Sequence, residues 1–587
     1  MPLESRWKAP IPRCSLQQWV FGSPLDPLPT TKLFIDPERP DTHFLSKSDY
    51  RLLGKRVALG LQSQGGIKPG DRVLVFSGNH LFFPSFFMGV LMAGAVFTGA
   101  NPTYVARELA YQLQDSGASI LVVAEAAVDV ALEAARQVGL PASRIYVFGG
   151  DCTGAEVTHS AVPKPGRSYR HPKFSASGVR HWTELLAGNL DKAKTWSWTE
   201  PSDPAQTTCC LNYSSGTTGV PKGVEISHTS YVANGVGVTF VSELDPEHVA
   251  KRERTSSLGF LPLYHAFGQT YFIANYPRLN IPVYIMPSFD FVKMLTYVQK
   301  YRINSLTVVP PIVVALAKHP IVKKFDLSSL EGIGCGAAPL GTEVMEEVEK
   351  IFPQGTVSVR QGWGMTEITC TCLSWDPNKV GNKDISGVGE LMPNARAKIM
   401  DLDGKTEITA PKQPGEIWVS GPNLMRGYWH KPQATAETMV TDPDGTRWLK
   451  TGDIGYVGEY APGGTFHIVD RLKELIKVKG NQVAPAELEA VLLERHDVVD
   501  AAVVGVTIKG EEMPRAYVVV ADKDKVTPEE IASWMAGRVA RHKQLKGGVV
   551  FVDEVPKNPS GKILRKILRD RAANEVGDRK PSGSKLA

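Results

Sequence analysis

Tyr213 to Gly223 reads Tyr-Ser-Ser-Gly-Thr-Thr-Gly-Val-Pro-Lys-Gly. Gly216 and Gly219 carry no Cβ, so backbone amides there can approach an anion closely. Ser214, Ser215, Thr217 and Thr218 add hydroxyl donors, and Lys222 adds a mobile cation. This is the chemistry of a phosphate cradle. It is not the P-loop, in which a second glycine and a lysine follow four residues after the first glycine. Counted from Gly216, that second glycine falls on Pro221. A nucleotide held here is expected in a different fold. Strand-like residues flank the run, Thr207 to Tyr213 before it and Val224 to Ile226 after it, and they argue against a flexible linker.

Four further clusters could do chemistry. Gln361 to Glu367 reads Gln-Gly-Trp-Gly-Met-Thr-Glu. Glycines on both sides of Trp363 would let a flat ligand stack, and Thr366 and Glu367 offer the oxygen ligands that Mg²⁺ prefers. Taken alone, it reads equally as a strand-end turn. In Trp448 to Tyr456, Asp453 after Thr-Gly could accept two hydrogen bonds from a ribose diol, or could be an ordinary Asp turn. Asp470 to Glu489 alternates in charge, as a solvated strand face does, yet stands at a composition boundary where a hinge would lie. Asn558 to Arg565 reads Asn-Pro-Ser-Gly-Lys-Ile-Leu-Arg, which predicts Lys562 on an exposed turn. A lysine docking from there onto a phosphate would stabilise developing charge.

The elements that must position these residues follow from the rest of the chain. Its 587 residues exceed one ordinary domain, and 42% hydrophobic with 22% charged residues is a globular composition. A net charge of +5 is mild and no nucleic-acid motif is present, so nucleic acid is not an expected partner. The seven cysteines form neither a C-x-x-C pair nor a zinc spacing and are expected to be reduced thiols. Tyr50 to Gln64 and Arg107 to Ser116 read as helices, and Arg72 to Ser77 and Ile120 to Val123 as strands, an alternation that predicts a largely parallel α/β sheet. Leu81 to Ala100 is uncharged over the length of a membrane span. With Pro84, Gly89, Gly94 and Gly99 inside it, it reads as a buried helix and a short strand. Residues 149–198 are polar and predict a surface insertion. Strand patterns dominate from Ala397 to Val469.

The expected fold class is therefore α/β: a large N-terminal domain (1–471) with parallel sheets and a β-rich part, a small mobile α/β domain (472–575), and a flexible tail (576–587). The chain ends Ser584-Lys585-Leu586-Ala587. A Ser-Lys-Leu terminus is a peroxisomal address, but Ala587 follows it, so a cytoplasmic location is expected with a peroxisomal one as the alternative.

In content and in order along the chain, the five clusters closely resemble those of the adenylate-forming, AMP-binding superfamily, and most of all its 4-coumarate–CoA ligase-like acyl-CoA ligases. The resemblance runs from about Tyr50 to Arg569. It implies two steps: carboxylate and ATP give acyl-AMP and pyrophosphate, then a thiol, usually CoA, displaces AMP. It implies that Ser214, Ser215, Gly216, Thr217, Thr218, Gly219 and Lys222 handle the β- and γ-phosphates. Gly336, Ala337, Ala338 and the run Gln361, Gly362, Trp363, Gly364, Met365, Thr366 would wall the adenine and α-phosphate. Glu367 would hold Mg²⁺. Asp453 and Arg471 would bind the ribose, with Ile468 also on the nucleotide side.

By the same resemblance Lys473 is the hinge, and Lys562 bridges the acyl carboxylate and the α-phosphate. His265 lies near the carboxylate and the thiol path; with Lys562 and Lys222 it completes the catalytic candidates. After adenylation the small domain is expected to rotate, bringing Lys477, Lys479, Gly480 and Gln482 to the site to bind CoA. Tyr264, His265, Val309, Pro311, Gly334 and Gly362 are the acyl-pocket candidates. The resemblance leaves a carrier-protein thiol as an alternative acceptor and a luciferase-like oxidase as a further one. No Asp stands at Tyr264-His265-Ala266, which points away from a free α-amino acid. Trp363 stands where the plant ligases carry Tyr, and Ile368 to Cys372 replaces their small Ala-Gly-Pro-Val stretch. These departures leave the nucleotide chemistry intact and the acid open.

Overall fold

The computed structural model describes residues 2–164, 177–214, 220–353, 355–379, 386–479, 481–558 and 561–576. Two α/β sheets form the body of the large unit. The first has eight strands, its centre built from Thr208–Ser214, Val96–Ala100, Arg72–Phe76, Ile120–Ala124 and Ile145–Phe148 in parallel. At one edge Lys222–Ser227 runs antiparallel to Thr208–Ser214, with Lys222 opposite Ser214. The second has seven strands, in which Ser305–Val308, Gly332–Cys335 and Ser358–Gln361 run parallel. Near-continuous apolar strands such as Ile120–Ala124 are what a sheet covered on both faces requires. An antiparallel sheet takes five of its six strands from residues 396–471 and the sixth from Leu3–Glu4, and its Arg447–Val457 and Phe466–Arg471 strands place Asp453 opposite Arg471.

Helix boundaries follow local chemistry. Lys47–Ser63 opens on a capping box between Ser46 and Asp49. Leu81 to Ala100 folds as anticipated, a buried helix Phe83–Met92 and the strand Val96–Ala100. Among the described residues no helix is long and apolar enough to cross a membrane. Cys14, Cys209, Cys210, Cys335, Cys370 and Cys372 are free thiols.

Residues 149–198 correct the expectation of a surface insertion. Arg180–His181 joins the eight-stranded sheet as an edge strand. Trp182, Leu185 and Leu186 are fully buried, with the Trp182 ring 5.3 Å from both Phe82 and Phe148. Arg56, itself fully buried, donates to the carbonyls of Val157 (2.8 Å), Thr158 (3.0 Å) and Leu186, and to Asn189 Oδ1 (3.1 Å). A polar composition conceals a segment in which Val157, Trp182, Leu185 and Leu186 turn inward, while Val162 stays exposed. Residues 165–176 lie outside the described residues.

The small unit has its own apolar clusters, one around Val483, Leu488, Val503 and Ile531 and another around Val504, Tyr517 and Leu568. Its long hairpin, Val498–Ile508 with Glu511–Val520, carries the helices Pro485–Leu493 and Arg565–Glu575. The expected tail, from 577 onward, lies outside the described residues.

Candidate active site

One cavity of about 1120 Å³ opens between the ends of the two α/β sheets, the antiparallel sheet and the small unit. The segment Ser215 to Gly219 lies outside the described residues, but both its ends are fixed at the cavity by the Ser214–Lys222 register. The Lys222 ammonium sits 4.8 Å from the centre of the Tyr428 ring. The Tyr428 hydroxyl donates to Glu367 Oε1 at 3.1 Å, and Ser214 Oγ donates to the same oxygen at 3.1 Å. Glu367 is only 6% exposed, and among the described residues its Oε2 receives no hydrogen bond. Tyr428 has no sequence signal of its own; its short strand Gly427–Tyr428 pairs with Val224 and Glu225, which brings it here.

The turn that presents Glu367 is strained and heavily tied. Thr369 and Cys370 follow it at φ +49° and +84°, a region costly for a β-branched residue. Thr369 Oγ1 donates to Asn423 O (2.8 Å), Asn423 Nδ2 to Ile368 O (3.0 Å), and Asn234 Nδ2 to Thr371 O (2.7 Å). Gly364 faces this turn so closely that a Cβ would lie 1.5 Å from Cys370 O. The glycine before Met365 is therefore a packing requirement as well as an opening for ligand.

Trp363 lines the cavity and its indole Nε1 donates to Asp453 Oδ2 at 2.9 Å. Arg471 Nε lies 3.3 Å from Asp453 Oδ1. Asp453 thus stands just behind the wall, 6% exposed, with Thr451, Gly452 and Arg471 at the surface. The Gln361 side chain is committed elsewhere: it accepts from Leu340 N (2.8 Å) and donates to Leu340 O (2.9 Å), holding the Gly336-Ala337 turn, where Ala337 adopts φ +76°. Gly336, Ala337, Gly362, Met365 and Thr366 line the cavity; Ala338 and Ile468 do not.

Lys562 corrects the reading of an exposed turn. Its backbone N–H donates to Asn558 Oδ1 (2.9 Å) and its carbonyl accepts from Asn558 N (2.9 Å), which closes the turn and leaves the side chain half-buried at the cavity. Burial, and then the Arg471 charge, push the ammonium down to about 8, while Asp453 and Glu367 oppose the fall. His265 is pushed down to about 4, by burial first and by Lys562 second, so it is neutral at pH 7. Its Nδ1 accepts from Phe267 N at 3.4 Å.

The acyl-pocket candidates divide. Tyr264, His265, Gly334 and Gly362 line the cavity, joined by Phe267, Tyr271 and Thr371. Tyr271 is carried on a π-helical turn, Gln269–Asn275, and its hydroxyl is 3.2 Å from Thr371 Oγ1. Val309 and Pro311 do not line the cavity; they pack under Gly561. Lys473 is exposed in the turn after Arg471, at the cavity rim. Lys477 and Gln482 pair across a hairpin of the small unit, away from the cavity, as does Lys479, whose ammonium is 3.3 Å from Glu511. Gly480 lies outside the described residues.

Comparison with known proteins agrees with this architecture. The family described as AMP-binding enzyme matches residues 34–429, and the AMP-binding enzyme C-terminal domain matches 487–562. The chain is 34% identical to the phenylacetyl-CoA ligase epaB of Aspergillus niger, over 96% of this chain and 97% of that one. It is 36% identical to 4-coumarate–CoA ligase 5 of Oryza sativa subsp. japonica, over 90% of each. ATP-bound MatB from Rhodopseudomonas palustris superposes with a TM-score of 0.76 at 24% identity, over 95% of this chain and 98% of that one. The chain belongs to the AMP-binding enzyme family, the adenylate-forming superfamily, and is an AMP-forming acid–thiol ligase of its acyl-CoA synthetase branch.

Proposed function

We propose that the protein joins an aryl, arylalkanoic or medium-chain carboxylic acid to CoA at the expense of ATP. The observation that carries this reading is the convergence of Lys222, Arg471 and Lys562 with the Glu367 carboxylate on one cavity whose inner part is lined by Phe267, Tyr271 and Gly334. Three cations suit a polyanionic substrate, and the aromatic side chains in the lining suit the uncharged body of an acid. The phenylacetyl- and 4-coumarate-directed names of the relatives support an aryl acid.

In the first step an oxygen of the acid attacks the α-phosphorus of ATP and pyrophosphate departs. Lys562 neutralises charge shared between the carboxylate and the α-phosphate, while Lys222 and the hydroxyl-rich loop from Ser214 to Gly219 receive the leaving pyrophosphate. Asp453 and Arg471 hold the ribose, Trp363 with its glycine neighbours walls the base, and Ile468 and Ala338 back that wall. Glu367 fits a magnesium site: one carboxylate with a free oxygen, and no group of three His, Cys, Asp or Glu among the described residues, match an ion completed by water and phosphate. Magnesium bound there would offset phosphate charge.

In the second step a thiolate attacks the acyl carbon and AMP departs. The division into 1–471, 472–575 and a tail is part of this proposal, with the small domain turning about Lys473 so that Lys562 withdraws and Lys477, Lys479, Gly480 and Gln482 approach with CoA. Neutral His265 lines the path of the thiol. The test is mass spectrometry of products from ATP, Mg²⁺, CoA and a pool of aryl and fatty acids. An ATP-dependent acyl-CoA supports the reading. Acyl-AMP without acyl-CoA would replace CoA by a carrier-protein thiol or oxygen, and neither product from any acid would overturn it.

A further inference from the structure

We infer that the helix Pro310–Lys318 is a docking rail for the small unit, and that Lys318 is a positioning residue that holds Lys562 in the cavity. The inference rests on the two-step reading above. Lys318 is the last residue of this helix in the large unit. Its ammonium donates to Leu493 O at 2.5 Å, Val498 O at 2.8 Å and Arg495 O at 3.0 Å, all in the small unit. Leu493 is the last residue of the helix Pro485–Leu493, Arg495 follows it by two residues, and Val498 opens the strand Val498–Ile508. The last carbonyls of a helix lack intrahelical partners, and the aligned peptide dipoles leave negative charge there. That helix has no basic residue in its own last turn. The cation that completes it comes from the other unit, and all three of its N–H donors are used.

The other end of the same rail meets the lysine turn. Gly561 adopts φ +81°, and a Cβ on it would lie 2.9 Å from Val309 Cγ2 and 3.6 Å from Pro311 Cδ. The next residue is Lys562. Nine helical residues at 1.5 Å each separate the two contacts by roughly 13 Å. A third contact joins Gly341 to Ala490, where a Cβ on Gly341 would lie 3.5 Å from Ala490 Cβ. One contact would leave the small unit free to pivot; contacts at Lys318, Gly561 and Gly341 together restrict that motion. None of these residues lines the cavity, so their effect reaches the chemistry through the small-unit residues that do, Lys562 with Lys557, Asn558 and Leu564. Turning the small domain for the thiol step must break all three Lys318 bonds. Lys318 therefore biases the enzyme toward the arrangement that adenylates.

The experiment uses the full-length enzyme and Lys318→Met, which keeps the aliphatic stem and removes the donors. Pyrophosphate release is expected to fall about tenfold or more in kcat, with KM for ATP little changed, while acyl-CoA formation from supplied acyl-AMP is retained or faster. Lys318→Arg, which keeps the charge, is expected to fall between. Hydrogen–deuterium exchange is expected to quicken in peptide 561–568, at the far end of the rail, and not in the Val498–Ile508 hairpin core. Unchanged adenylation, equal loss of both half-reactions, or faster exchange confined to residues 493–498 would overturn the inference and leave Lys318 a local cap. If the unaltered enzyme adenylates no acid, the functional reading fails, and the exchange in 561–568 still decides whether Lys318 docks the small unit.

Discussion

The indole of Trp363 donates to Asp453 Oδ2 across 2.9 Å, joining two residues 90 positions apart. Arg471 lies 3.3 Å from the other oxygen, so the carboxylate proposed to bind the ribose is oriented from both sides. Trp363→Phe keeps a flat face and deletes this donor. A hydrogen bond to a charged group contributes about 1.5–3 kcal/mol, so KM for ATP is predicted to rise roughly ten- to hundredfold with kcat altered far less. Steady-state kinetics with ATP varied checks this; an unchanged KM would detach Trp363 and Asp453 from the ribose.

Lys562→Ala is predicted to abolish most acyl-AMP formation while sparing the thiol step from supplied acyl-AMP, because in the proposed mechanism only adenylation brings two anions together beside the ammonium. Single-turnover assays of each half-reaction separate the two. Equal losses would mean that Lys562 shapes the site instead of acting on phosphorus.

The pH dependence has a defined sign. Burial, then Arg471, lowers Lys562 to about 8, so the cation is present at neutral pH and is lost as pH rises through that value. In the free enzyme kcat/KM for adenylation should therefore fall with unit slope above about pH 8. His265, at about 4, should contribute no limb between pH 5 and 8. Arg471→Met removes the like charge and should move the alkaline limb upward, whatever it does to ATP affinity. A limb that stays fixed would assign it to another group.

The candidate loops could be picked out because each packs its residues into a few consecutive positions, hydroxyls, glycines and Lys222 in one run, Trp363 to Glu367 in another, Lys562 behind Pro-Ser-Gly, and Lys222, Trp363, Glu367 and Lys562 line one cavity. What could not be read were partnerships made by folding. Tyr428 beneath Lys222, Gln361 spent on Leu340, and Lys318 beneath a helix of the other unit have no local signature. Composition misled at 149–198 for a related reason. Average polarity says nothing of where Trp182 points, and the partner that secures this segment, Arg56, is an ordinary-looking charge on a helix more than ninety residues earlier.

That buried arginine gives a stability prediction. Arg56→Met would leave the carbonyls of Val157, Thr158 and Leu186 and the side-chain oxygen of Asn189 without this donor in the buried interior. Each unsatisfied buried group costs about 1–3 kcal/mol, so a loss above about 3 kcal/mol is expected in chemical denaturation. A loss under about 1 kcal/mol would mean that water replaces the guanidinium and that the segment is less firmly packed than it looks.

The identity of the acid turns on how deep the recess runs beyond the reacting carbon, and Gly334 is the place to measure it. Thr307, Gly334 and Arg360 stand in register across three parallel strands, so they share one face of the sheet, and all three line the cavity. Among the described residues, a Cβ on Gly334 would find only Leu306 O, at 3.9 Å, within 4 Å. Gly334→Ala can therefore be made without strain, and thermal unfolding should be unchanged. The added methyl occupies space that would otherwise hold the far end of a substrate. One methylene's worth of space shifts selectivity by about 10–200-fold, so kcat/KM should drop for the longer or bulkier acids of a panel and hold for the shortest, with KM for ATP unaffected. A uniform drop would mean that the methyl disturbs the nucleotide side. An unchanged profile across all acids would exclude Gly334 from the acyl pocket and move the recess toward Tyr271 and Thr371, whose 3.2 Å contact would then form its end.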